Sequence, residues 1–192
     1  MAKAQQMLGR RLRRDSKPEL SPSNGEAFSP GHWVWAHLHD FALVLGGKRL
    51  PTGSSLVTED TGKIYIRVTD MKAGTILRDK LKYVPAPDQN KILKYTIDRE
   101  DLYITIAGTI GEVGKVPDFC HGQNLTENAA KIVFREINGD FLLLALSSAD
   151  VQLQFTEKTK QMATEVGTKA NFWCACPHPT SRRAAPDRLQ GQ

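Results

Sequence analysis

The chain has 192 residues, 40% of them hydrophobic, and carries a formal charge of +5 with a pI near 9.2. Its length suits one domain with tails, and the apolar share is enough for a core, which excludes wholesale disorder. Three cysteines imply no disulfide framework and predict a reducing, cytoplasmic setting. No apolar run approaches a membrane span, and the charged first residues lack the apolar stretch of a secretory signal.

In chain order, residues 1–27 read as a flexible basic arm, with Lys3, Arg10, Arg11, Arg13, Arg14 and Lys17 outweighing Asp15 and Glu19. Order is expected from "HWVWAHLHDFALVLGGKRLPTG": a short strand at Trp33 and Trp35, then a helical turn through Phe41, Val44 and Leu45. Gly46 and Gly47 end it, and the segment from Pro51 to Gly53 turns the chain. "KIYIRVTDM" alternates, with Ile64, Ile66 and Val68 on one face and Tyr65, Arg67 and Thr69 on the other, which predicts a half-buried strand. "ILKYTI", "DLYITIAG" and "AKIVFRE" predict further strands, and "GEVGKV" a tight turn returning as another. Asn138-Gly139-Asp140 then breaks the chain. "FLLLALSSADVQLQFTEKTKQM" is rich in helix formers and predicts two helices joined near Ser147-Ser148, the second stopping before Gly167. Strands followed by helices give an α+β domain over residues 28–171: a twisted, mostly antiparallel sheet with helices toward its C-terminal end and disordered tails.

No catalytic set emerges from the residue pattern. "GTIGEVGK" lacks the spacing and the Ser/Thr of a phosphate loop, so its glycines read as a turn. Glu100 and Asp101 are adjacent and would point to opposite faces of a strand. His37 and His39 share a face if extended, but no third metal ligand lies nearby in sequence. Cys120 reads as a buried core thiol, and no Gly-x-Ser-x-Gly elbow exists. What is left is a basic surface of Lys48, Arg49, Lys63, Arg67, Lys72, Arg78, Lys80 and Lys82, which suggests a polyanionic partner.

The order of motifs over residues 33–171 resembles a target-recognition domain of the type I restriction-modification DNA specificity subunit. The resemblance is carried by the entry segment through "GGKRLPTG", by "IYIRVTDMKAGTI", "ITIAGTIGEVGKV" and "GQNLTENAAKIVF", and by "FLLLALSS" with "GTKAN". It implies a non-catalytic reader of double-stranded DNA, one half of a split site per recognition domain. Methyltransferase subunits using S-adenosylmethionine and motor-nuclease subunits using ATP and Mg would be its partners, with no cofactor on the chain itself. The expected DNA contacts are Lys48, Arg49, Lys63, Arg67, Lys72 and Arg78, chosen on charge and loop placement. The rivals are a small metal-dependent nuclease or hydrolase using Asp70, Glu100 or Asp101 with a histidine, or a plain interaction module.

After "GTKAN" the resemblance implies a short strand, then Pro-Pro-Leu-x-Glu-Gln and a long helix, which the chain does not show. Codons for "NFWCACPHPTSRRAAPDRLQGQ" can be chosen so that a shifted frame spells "ISGARAHIPPLAEQHRIVSKV". Residues 172–192 are therefore expected to be an irregular, out-of-frame tail, and Cys174, Cys176 and His178 no metal site. A half-site reader, or a non-functional fragment of one, is the expected product.

Overall fold

The computed structural model of the chain describes residues 33–161 and 173–177. The proposed arm at 1–27, the end of the second helix and most of the tail lie outside the described residues.

The α+β expectation holds. The first strand, β1 (Trp33–His37), leads through a single 3-10 turn at Leu38–Asp40 into β2 (Ala42–Gly46). The helical turn expected through Leu45 is thus confined to three residues. Asp40 takes the His37 N–H at 3.1 Å and closes that turn, and the Ala42–Leu45 run pairs as a strand instead. The half-buried strand expected over 63–71 is also shorter. Only Tyr65–Ile66 (β3) is extended strand, and both residues are buried. The reason is local: Asp70 accepts the Arg67 N–H at 2.9 Å and folds Val68–Asp70 into a 3-10 turn. A small hairpin follows, β4 (Met71–Lys72) with β5 (Thr75–Ile76). "ILKYTI" divides into a one-turn helix, α1 (Gln89–Ile92), and β6 (Thr96–Ile97). Pro85 precedes that helical stretch, and Lys91 pairs with Asp88 at 2.8 Å across it, which favours helix over strand.

Three of the remaining strands fall where the sequence places them: β7 (Leu102–Thr105), β8 (Val113–Lys115) and β10 (Ala129–Phe134), whereas β9 (Gln123–Leu125) lies where the pattern predicts no strand. The turn before β8 uses Gly108 and Gly111 at φ +81° and +87°, the left-handed region that glycine enters freely. Asn138 begins the helical region rather than merely breaking the chain. Its side chain accepts the N–H groups of Asp140 at 2.9 Å and Phe141 at 3.0 Å, capping α2 (Gly139–Ser147). Ser148 separates α2 from α3 (Ala149–Gln161), as expected.

The pairing is mostly antiparallel, but it is divided among small sheets. A four-stranded sheet runs in the order β2-β10-β7-β8 and a three-stranded one in the order β3-β9-β6, in which β3 and β9 are parallel. The last described strand, β11 (Trp173–Pro177), pairs antiparallel with β1. For these five residues the irregular tail is corrected. A short Trp- and Cys-containing run with β preference satisfies the open edge of β1 by backbone hydrogen bonding.

β7 divides the core. Leu102 and Ile104 face Leu142, Leu146, Val151 and Phe155 of the two helices, while Tyr103 points the other way among Ile66, Met71, Ile97, Cys120 and Leu125. All four residues of β7 are buried, as befits a strand covered on both faces. A smaller cluster of Tyr65, Val84 and Ile92 supports the loops on the β3 side. Among the described residues no helix is long and apolar enough to cross a membrane.

Candidate nucleic-acid interface

The loop after β2 is fixed by its backbone before any side chain is considered. Gly47 donates to the Ala129 carbonyl at 3.0 Å and Lys48 to the Leu125 carbonyl at 2.9 Å. These bonds hold the Lys48 and Arg49 backbone against the segment between β9 and β10. Both side chains are exposed. The Lys48 ammonium lies 5.8 Å from the centre of the Tyr95 ring, within cation–π reach. Arg49 donates from Nε to Glu127 at 2.7 Å, and its side chain is 77% exposed.

Glu127 is anchored from beneath. The Tyr65 hydroxyl lies 3.0 Å from the Glu127 carboxylate and 2.9 Å from the Lys48 carbonyl, and Thr126 Oγ1 reaches the carboxylate at 3.2 Å. Burial pushes the Glu127 carboxyl up, but hydrogen bonds from Arg49, its own backbone N–H and Tyr65 outweigh it and hold it below the ordinary glutamate value. Burial pushes the Tyr65 phenol up to about 12, so it is a proton donor throughout the physiological range.

The other expected contacts are placed differently from one another. Lys72 and Arg78 are exposed, and the Arg78 guanidinium lies 4.4 Å from the centre of the Phe119 ring. Lys63 is half-buried and reaches the Gly122 carbonyl at 3.5 Å. Arg67, expected as a surface cation, is a structural one. Its guanidinium grips buried Asp70 through Nε at 3.0 Å and Nη2 at 2.6 Å, and Nη2 also donates to the Lys80 carbonyl at 2.9 Å. Only 28% of its side chain is exposed. Charge in a one-dimensional reading does not distinguish a cation facing water from one turned onto a carboxylate three residues away.

Two exposed residues were not among the expected contacts: Tyr95, whose ring lies against Lys48, and its sequence neighbour Lys94. Both are on the loop between α1 and β6. Buried Asn124 holds that loop, donating to the carbonyls of Ile92 at 2.8 Å and Tyr95 at 3.4 Å. Their signal was present in "ILKYTI", where a lysine stands next to an aromatic residue, but the apolar alternation drew it into a strand.

The carboxylates proposed for the rival hydrolase are engaged. Asp70 is held by Arg67, and Glu100 by Arg99 at 2.8 Å. Asp101 accepts the Asp98 N–H at 2.9 Å and lies 3.3 Å from Lys131, while burial pushes its carboxyl up. Each therefore has a structural partner.

No family model matches the chain, and no curated protein does. Solved structures do match it. The chain is similar to the HsdS subunit from Thermoanaerobacter tengcongensis, with a TM-score of 0.52 and 16% identity over 82% of this chain and 36% of that one. It is similar to a chain from a structure of complex assembly and conformational transition in the type I R-M system, with a TM-score of 0.51 and 15% identity over 80% and 36%. The type I restriction-modification system S subunit from M. genitalium gives 0.48 and 14% over 77% and 35%. This chain thus has the fold of about a third of an HsdS subunit, as the order of motifs implies, and it spans 36% of the length of the first two structures it matches.

Proposed function

We propose that this chain is the DNA-recognition part of a type I restriction-modification specificity subunit, a non-catalytic reader of one half of a split site. The observation that carries the reading is the shared fold with HsdS over 82% of the chain. The exposed cations of the loop after β2, with an aromatic ring beside them, support it. Lys48, Arg49 and Lys94 supply positive charge for phosphates, and Tyr95 adds a flat face. Lys72 and Arg78 are further exposed cations available to a polyanion, whereas Arg67 is engaged by Asp70.

In this reading the chain itself does no chemistry and works in the cytoplasm. Methyltransferase subunits would bring S-adenosylmethionine, and motor-nuclease subunits ATP and Mg. Phosphate contacts would set affinity and register, and a few side chains on base edges would set sequence choice.

The test is a titration of a fluorescent DNA duplex with the isolated chain at two salt concentrations. A lone reader lacks the effective concentration that a second reader supplies on the same duplex. Affinity in the non-specific range, on the order of 10⁻⁴–10⁻⁶ M at physiological salt, is expected, falling as salt rises. Salt-insensitive behaviour, or cleavage of the duplex by the chain alone, would refute the proposal.

A further inference from the structure

The guanidinium of Arg49 is held by one corner only. Its Nε is bound to Glu127, and among the described residues neither terminal nitrogen has a hydrogen-bond partner. A free arginine on a surface loop samples many rotamers, and ordering it on binding costs entropy. Here Glu127 removes part of that freedom in advance. Glu127 is itself oriented by Tyr65, a residue only 5% exposed, and by the Thr126 hydroxyl. The chain from buried Tyr65 through Glu127 to exposed Arg49 therefore runs from the core to the surface. It leaves the paired Nη1–Nη2 edge for a ligand that offers two acceptors side by side.

We infer that Glu127, oriented by Tyr65, is a positioning residue that presents the Nη1–Nη2 edge of Arg49 to a paired acceptor on DNA. This rests on the DNA-recognition reading above. Two sources offer such a pair: the oxygens of a backbone phosphate, and O6 with N7 of guanine in the major groove.

Charge alone makes the opposite prediction for Glu127, and that contrast supplies the test. A carboxylate beside a DNA-binding surface repels phosphates, so its removal by simple electrostatics tightens binding. If it positions Arg49, its removal weakens binding although the net charge becomes more positive.

The experiment is the fluorescent-duplex titration of the full chain at two salt concentrations. It compares wild type with Glu127→Ala, Glu127→Gln, Tyr65→Phe, Arg49→Ala and the Arg49→Ala/Glu127→Ala double variant, each checked for a folded thermal transition. Contacting residues that act together couple by amounts that correspond to several-fold changes in affinity. Glu127→Ala is expected to weaken binding on the order of five-fold, with Glu127→Gln, which keeps an acceptor, in between. Tyr65→Phe, which changes no charge at neutral pH, is expected to weaken it as well. In the Arg49→Ala background, Glu127→Ala is expected to tighten binding, since only the repulsion is left to remove. A phosphate partner makes Arg49→Ala lower the salt slope by about 0.9. A guanine partner leaves the slope and changes the ranking of duplexes that differ in G·C content.

Glu127→Ala and Glu127→Gln binding as tightly as wild type, or tighter, with Arg49 present would overturn the inference and leave the DNA reading standing. A wild-type chain that does not bind DNA would overturn both. Should Glu127→Ala fail to fold, Glu127→Gln and Tyr65→Phe decide the matter by the same signs.

Discussion

Gly46 and Gly47 stand next to each other, and alanine at the two positions is expected to give opposite results. A Cβ at Gly46 would meet nothing within 4 Å. A Cβ at Gly47 would lie 2.1 Å from the Thr126 carbonyl oxygen, 2.2 Å from that of Leu125 and 2.6 Å from the Leu125 carbonyl carbon. All three are backbone atoms, so no rotamer change relieves the clash and the two segments must separate. Separation strains the Gly47-to-Ala129 and Lys48-to-Leu125 hydrogen bonds, each worth about 1 kcal/mol net. Overpacking adds about 1–3 kcal/mol. The expected loss for Gly47→Ala is therefore about 3–5 kcal/mol, a large share of the roughly 5–15 kcal/mol that holds a domain folded. Gly46→Ala should stay within about 0.5 kcal/mol of wild type. Urea titrations followed by circular dichroism measure both. A Gly47→Ala midpoint equal to wild type, or equal losses at the two positions, would refute the argument that close backbone approach dictates glycine here.

Other outcomes follow from the same geometry. Replacing Lys48 and Arg49 together by Ala should lower duplex affinity and reduce the salt slope by about 0.9 for each of the two that contacts a phosphate, about 1 to 2 in all; an unchanged affinity in the fluorescence titration would remove this loop from the interface. Asp70→Ala strips Arg67 of its carboxylate partner. Breaking a buried pair typically costs about 3–5 kcal/mol, and the partial exposure of Arg67 lowers the expectation to about 2–4 kcal/mol; a urea midpoint shift worth less than about 1 kcal/mol would count against a structural role for the pair. Cys120 is fully buried, and burial pushes its thiol up to about 12. With iodoacetamide at pH 8 its peptide should stay unmodified in the folded chain and react in urea, and equal rates by mass spectrometry in the two states would contradict its burial.

The sequence by itself determined the elements whose signal is local. Alternation over Leu102–Thr105 and Ala129–Phe134 specified strands, and the helix formers after Asp140 specified two helices joined near Ser148, because period and propensity act within a few residues. The order of weak motifs was enough to indicate the fold that comparison with HsdS supports. Tertiary structure decided what depends on partners distant in the chain. It split the pairing into several sheets. It set Arg49 on Glu127, 78 residues away, whereas Arg67 turns onto Asp70 only three residues on, a pairing that charge alone does not reveal. It also set backbone against Gly47 and open space beside Gly46. A guanidinium has the same charge in either setting, and two glycines the same freedom. What separates them is whether another stretch of backbone or a buried carboxylate lies within a few ångströms, and only the folded chain sets that distance.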